Sequence, residues 1–350
     1  MICRREFLLG MPLLAAGDDP NEWLPRSGTL TDVAGLKVGH YTLKQRPTGC
    51  TVVLCEDGAT AGVDVRGSAP GTRETDLLNP LNTVQKAHAI VLAGGSAYGL
   101  DTAGGVMRYL ESRGKGFPVP GGVVPIVPAA ILFDLTMGDF KIRPGADAGF
   151  QACVDATSKP VQQGNVGAGA GATIGKMYGR EFSMKAGIGS ASIKVGDVVV
   201  AAIAAVNAVG DVVNPRTGKI IAGARTADGK GFRDTAAVIR TGGAKLVTPI
   251  GSNTTIGVVA TNAVLDKMQA NKIAQMAQDG LARAISPVHT PSDGDTVFAL
   301  ATGTLRGVTV NHGQIGSLAA EAMSQAIVRA ALYADSVLGI PGLRDWKRSQ

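Results

Sequence analysis

The chain has 350 residues, 45% of them hydrophobic but only 4% aromatic, with 48 glycines and a formal charge of +6. That composition excludes a disordered or collagen-like chain and fits a globular protein packed through small side chains; length alone leaves one large domain or two ordinary ones open. The basic residues are scattered and form no block of like charges, so no nucleic-acid partner is expected.

At the amino terminus, Arg4-Arg5 precedes Phe7-Leu8-Leu9 and a short apolar run ending in Ala15-Ala16-Gly17. This has the form of a twin-arginine export signal with a small-residue cleavage zone, so residues 1–17 are expected to take no part in the fold and the mature protein to work in the periplasm or outside the cell; the alternative is an ordinary amphipathic start on a cytoplasmic protein. No later run of about 18 apolar residues predicts a membrane span. Cys3, Cys50, Cys55 and Cys153 form no CxxC pair and have no histidine at ligand spacing, so buried free thiols are expected rather than a zinc site.

Residues 30–41, 50–55 and 61–65 alternate like strands, which predicts a hairpin-rich β layer. The loop over residues 66–76 carries two arginines and two acids between Gly and Pro, a make-up that suits solvated surface by default and a site-lining segment as the alternative. Residues 88–93 read as a strand, followed by a glycine turn and a helix. Neither GxGxxG nor GxSxG can be placed there, since Tyr98 stands where the last glycine of the elbow would be, and Ser96 is a weak nucleophile candidate. The glycine-rich stretch to Lys176 fails as a phosphate loop, because Ala170 replaces the first glycine and Met177 the hydroxyl residue. Asn207 closes an apolar run and must find partners, either as a structural amide or as an oxyanion donor.

Residues 253–262 open with a polar knot, Asn253-Thr254-Thr255, and pass into a β-branched run, which places hydroxyls at the mouth of a buried strand. Helices are predicted over residues 265–285 and 317–338. Between them, Asp293 and Asp295 stand two residues apart before an apolar strand, where i and i+2 share a face; further acids at calcium-loop offsets are absent. His40, His88, His289 and His312 suggest no Ser-His-Asp pattern. A hydrolase without a histidine base can use the amine of an amino-terminal Ser or Thr, whose pKa is about 7.7 to 8, once the preceding peptide bond is cut.

Six stretches in order carry a family resemblance: VRGSAPGTRETDLL at 65–78, LAGGSAYGL at 92–100, GAGAGATIGK at 167–176, VNAVGDVVNP at 206–215, NTTIGVVATN at 253–262 and HTPSDGDTVFALATG at 289–303. The chain resembles the self-processing aminopeptidases of the DmpA type, L-aminopeptidase D-amidase/esterases, a group that also holds β-aminopeptidases and nylon-oligomer hydrolases. The resemblance implies an α+β fold, a four-layer αββα sandwich of N-terminal-nucleophile type shared with ornithine acetyltransferase. It implies a cut between Asn253 and Thr254, giving a large segment, 18–253, and a small one, 254–350, within one domain. Thr254 would then be the nucleophile, Asp293 and Asp295 would hold its amine and hydroxyl, Asn207 would serve the oxyanion, and Lys176 would sit beside the nucleophile. Phe133 stands where several relatives have a tyrosine, which makes it a candidate substrate contact. No metal or cofactor is expected. The partners implied are short peptides, amino-acid amides or esters, with polyamide oligomers as the alternative, in a homo-oligomer of processed pairs. The Asn-Thr junction with two aspartates is closer to the nylon-oligomer branch than to the branch with Gly-Ser and a Ser/Glu pair. An acyltransferase or a non-catalytic binding protein on the same scaffold are the remaining readings.

Overall fold

The computed structural model describes residues 28–242 and 251–348; the twin-arginine leader read over residues 1–17 lies outside them. The main sheet contains β1 (Lys37–Thr42), β2 (Gly49–Val65), β3 (Lys86–Ala93), β4 (Ala129–Ile131), β5 (Ile188–Val195), β6 (Val198–Asn207), β7 (Thr254–Thr261) and β8 (Thr296–Ala301). Four helices cover it: α1 (Thr102–Ser112), α2 (Ala146–Val154), α3 (Lys267–Ala284) and α4 (His312–Leu332). The order across the sheet is β5-β6-β7-β8-β2-β3-β4 and then the short Thr72–Arg73 strand, with β1 also paired to β2. Its neighbours run antiparallel except β7 with β8 and β3 with β4, which are parallel.

The expected hairpin at residues 50–65 is instead one 17-residue strand, β2. Glu56-Asp57-Gly58 reads as a turn, yet here it supplies a register shift between Leu54 and Ala59, with Gly58 at φ +77. A bulge of that kind bends a strand without ending it. The first part of β2 therefore carries β1 and β3, while residues 60–65 carry β8.

Side-chain alternation then produces three apolar interfaces. Ile203, Ile256, Val258, Phe298 and Leu300 from one half of the sheet meet Val53, Ile90 and Leu92 from the other in a single buried cluster. The opposite faces are closed by helices: Ala202, Ala204, Val206, Val259 and Val297 pack on Ile273 and Leu281 of α3 and Met323 of α4, and Val52, Leu54, Ala89 and Val91 pack on Val106 and Leu110 of α1 and Ala152 of α2. Helix, sheet, sheet, helix is the four-layer αββα order, built by one sheet folded over itself.

The start of α3 is fixed by a capping box, in which Asp266 accepts from Gln269 N–H at 2.8 Å and the Gln269 side chain accepts from Asp266 N–H at 3.0 Å. α4 begins earlier and ends earlier than its alanine pattern suggests. Asn311 caps its start by accepting from Gln314 N–H, and Tyr333, at φ −98 and ψ 1, closes it by donating its N–H to Arg329 O. Cys50, Cys55 and Cys153 are free and buried.

Candidate functional site

β7 begins at Thr254 and is held on both sides. Asn207 at the end of β6 pairs with Thr254, and Asn253 forms a parallel bridge with Asp293 in the turn before β8. The Thr254 hydroxyl donates to the Asn253 carbonyl at 2.5 Å, and the Gly294 N–H donates to the same oxygen at 2.9 Å. A Cβ on Gly294 would stand 2.9 Å from Thr254 Oγ1 and 2.5 Å from the Ala69 carbonyl, so only glycine lets this turn close over the hydroxyl. Asn253 is fully buried, and neither Oδ1 nor Nδ2 of its carboxamide has a partner among the described residues.

Asp293 and Asp295 lie in the turn rather than in the strand, which starts at Thr296. Asp295 Oδ1 accepts from Thr255 N–H at 2.7 Å, and its Oδ2 accepts from the backbone N–H and Nδ1 of His289 at 3.2 and 2.8 Å. Asp293 Oδ2 accepts from Thr290 N–H at 2.6 Å. Burial, reinforced by the neighbouring Asp295, holds Asp293 above the ordinary carboxylate range. The loop after β2 braces this turn from the other side: Arg66 and Gly67 donate backbone N–H groups to Asp295 O, and Ala69 to Asp293 O.

Lys176 and Asn207 meet one residue upstream of the point expected. Lys176 Nζ donates to Ser252 O at 2.9 Å and to Asn207 O and Oδ1 at 2.9 and 3.0 Å; no bond to Thr254 forms. Burial lowers its ammonium to about 7, against the opposing pull of Asp293 and Asp295. Asn207 Nδ2 donates to Phe133 O at 2.9 Å and to Ser252 O at 3.2 Å, while its Oδ1 accepts from Thr173 N–H at 3.1 Å. The amide is thus fully satisfied in the uncut chain, and the donor on the Asn253 carbonyl is Gly294 instead.

Phe133 lines a cavity of about 320 Å³ that also takes in Met137, Thr173, Lys176, Glu181, Ser252 and Ile340. The Phe133 backbone is anchored by Asp134, which is buried against Arg46 at 2.6 Å and also accepts from Thr48 Oγ1 and Gly95 N–H. This assigns the LAGGSAYGL stretch a scaffolding place: its glycine turn seats the cavity wall, and the Ser96 N–H is tied to Leu132 O. Sequence reasoning brought out Thr254, Asp293, Asp295, Asn207 and Lys176, and the fold gathers them. It missed His289, whose only signal is its place six residues before Asp295, and the Gly294 N–H, which no residue type can reveal. Among the described residues no group of three or more His, Cys, Asp or Glu could hold a metal ion, and no helix is long and apolar enough to cross a membrane.

The four-layer αββα body thus presents a hydroxyl residue at the head of an inner strand, beside a carboxylate turn. The model for peptidase family S58 matches residues 28–344, and the chain belongs to that family. It is 43% identical to an uncharacterized aminopeptidase of Mycobacterium leprae over 342 residues, covering 89% of this chain and 92% of the relative. It is 31% identical to a 6-aminohexanoate-oligomer endohydrolase of Kocuria over 312 residues, 86% of this chain and 85% of the relative. The solved structure of the L-aminopeptidase D-Ala-esterase/amidase of Ochrobactrum anthropi, a variant of the Ntn-hydrolase fold, superposes with a TM-score of 0.64 at 19% identity over 91% of each chain.

Proposed function

We propose that this chain cuts itself between Asn253 and Thr254 and then hydrolyses amide bonds of short peptides, amino-acid amides or esters through the new amino-terminal threonine. The observation that carries the reading is the pinned carbonyl: Asn253 O accepts from both Thr254 Oγ1 and the Gly294 N–H at the head of a buried strand. In the first reaction Thr254 Oγ1 bonds to the Asn253 carbonyl carbon, and the C–N bond breaks as the nitrogen takes a proton. Water then hydrolyses the resulting ester, leaving the Asn253 carboxylate and a free Thr254 amine. Charge developing on Asn253 O is met by the Gly294 N–H.

In the second reaction that amine takes the hydroxyl proton, Oγ1 attacks the substrate carbonyl, the leaving amine departs protonated, and water resolves the acyl-enzyme. Asp293 and Asp295 orient the amine-bearing end of β7. The donors of Lys176 and Asn207, which rest on Ser252 O in the uncut chain, turn to the substrate oxygen once residues 251–253 move aside. The cavity walled by Phe133 and Met137 then takes the acyl group.

A second reading, internal cleavage of polyamide oligomers, is favoured by the Asn-Thr junction with its two aspartates and by the Kocuria relative. The twin-arginine leader supports an exported protein, and we include homo-oligomers of the processed pair in the proposal. Denaturing and native mass spectrometry of the purified protein read all of this: two fragments, the smaller beginning at Thr254 and the larger near residue 18, in a multimer. Thr254→Ala should abolish cutting and activity together, while Ser252→Ala should spare both. An intact chain with full amidase activity would overturn the mechanism, and amino-acid p-nitroanilides beside a linear polyamide separate the two substrate readings.

A further inference from the structure

We infer that His289 is a positioning residue of this reaction, acting through Asp295 on the strand that carries the nucleophile. The inference rests on the hydrolase reading above. His289 sits at φ +55, a left-handed conformation that few residues other than Gly, Asn, Asp and His adopt. That conformation brings its backbone N–H and its ring Nδ1 onto the same carboxylate oxygen, Asp295 Oδ2, at 3.2 and 2.8 Å. With Oδ2 fixed at two points, the other oxygen faces the Thr255 N–H at 2.7 Å. The carboxylate is 2% exposed and the imidazole 18% exposed, so the contact is shielded from water and from salt.

The consequence lies at Thr255. Asp295 Oδ1 takes the place of a strand neighbour for the first amide after Thr254, because the β7–β8 ladder begins only at Ile256 with Thr296. The first peptide after the nucleophile is thus held by a side chain, and His289 keeps that side chain from rotating. His289 touches neither Thr254 nor the Asn253 carbonyl; its effect travels along Asp295 to the Thr255 N–H. A shift of about 1 Å in a nucleophile costs about 100-fold in rate, so the bond matters out of proportion to its own energy. The ring Nε2 is buried and has no partner among the described residues, so Nδ1 carries the whole of the ring's polar contact.

Three variants of the full chain separate the ring bond from the backbone conformation. Gly accepts φ +55 and lacks the donor; Asn also tolerates that conformation and offers Nδ2 where Nδ1 stood; Ala offers neither. Each is assayed for kcat and KM on an amino-acid p-nitroanilide and for the fraction cut, relative to the wild-type chain, with the thermal midpoint measured alongside. His289→Gly and His289→Ala should lower kcat about 10- to 100-fold with KM little changed, and His289→Asn should recover most of it. A His289→Gly enzyme as fast as wild type would show that only the backbone turn matters and overturn the proposal. So would a His289→Asn enzyme as slow as the glycine variant, since the donor to Asp295 would then be immaterial. A wild-type chain that is never cut fails the hydrolase reading itself, a result visible before any His289 variant is made.

Discussion

Lys176 poses a question of charge. Its Nζ has three oxygen acceptors, an arrangement suited to an ammonium, while burial pulls the same group down to about 7. A base whose pKa is lowered is neutral above the shifted value, so near neutral pH a substantial share of Lys176 can accept a proton. In the proposed first cut residue 254 has no amine of its own and its hydroxyl proton needs another acceptor, a role open to Lys176 once its Nζ leaves the Ser252 and Asn207 oxygens. Precursor collected in acid and shifted to higher pH should cut itself about tenfold faster per unit up to about pH 7 and no faster beyond. Lys176→Met should remain slow throughout, with a rate that no longer follows pH. A wild-type rate that falls across this window would exclude Lys176 from the step.

At the scale of elements, the turn between residues 289 and 295 and the loop at residues 66–69 form one closure over the head of β7. Backbone atoms make most of it: Arg66, Gly67 and Ala69 N–H groups hold the turn, and Gly294 N–H holds the Asn253 carbonyl. Gly294→Ala would push a methyl to 2.5 Å from Ala69 O and 2.9 Å from Thr254 Oγ1. The expected outcome is a folded chain that fails to cut, read as an intact mass with the wild-type circular dichroism spectrum; efficient cutting would show that the turn yields. The same turn explains what could be read from the sequence. Thr254, Asp293 and Asp295 were legible because their chemistry resides in side chains within recognisable stretches. The Gly294 donor was not, because it is main chain, and His289 was not, because its partner is set by a left-handed turn. β7 and β8 followed from their apolar runs and α3 from its helical spacing, whereas the apolar run that Asn207 closes fits a buried strand or a buried helix equally and becomes β6 only through its pairing with β5 and β7. β2 did not, since Glu56-Asp57-Gly58 has the composition of a turn and only the pairing of β2 with two different halves of the sheet makes it a bend.

For the whole molecule, the folded-over sheet puts the Asn253–Thr254 bond, the proposed point of cutting, inside the body rather than at a domain boundary. β7 contributes Ile256 and Val258 to the inter-sheet core and Val259 to the helix-facing one, while β6 flanks it from Thr254 and β8 from Ile256 onward. The segment after residue 253 also holds α3 and α4, the helices of one outer layer. A break at Asn253 and Thr254 therefore divides the chain without dividing the core, and both fragments should remain together in gel filtration until denatured.

That central placement of β7 changes the molecularity of folding. An uncut Thr254→Ala chain brings β7 between β6 and β8 by closing its own loop, a first-order event whose entropic cost grows only slowly with loop length. A protein processed as proposed would have to reunite two separate molecules, at an entropic cost that grows with dilution. Refolded from urea at a series of concentrations, the Thr254→Ala chain should recover at one rate throughout. The processed pair should slow in proportion to dilution, so that an order formed once, in a continuous chain, becomes hard to re-form after the cut.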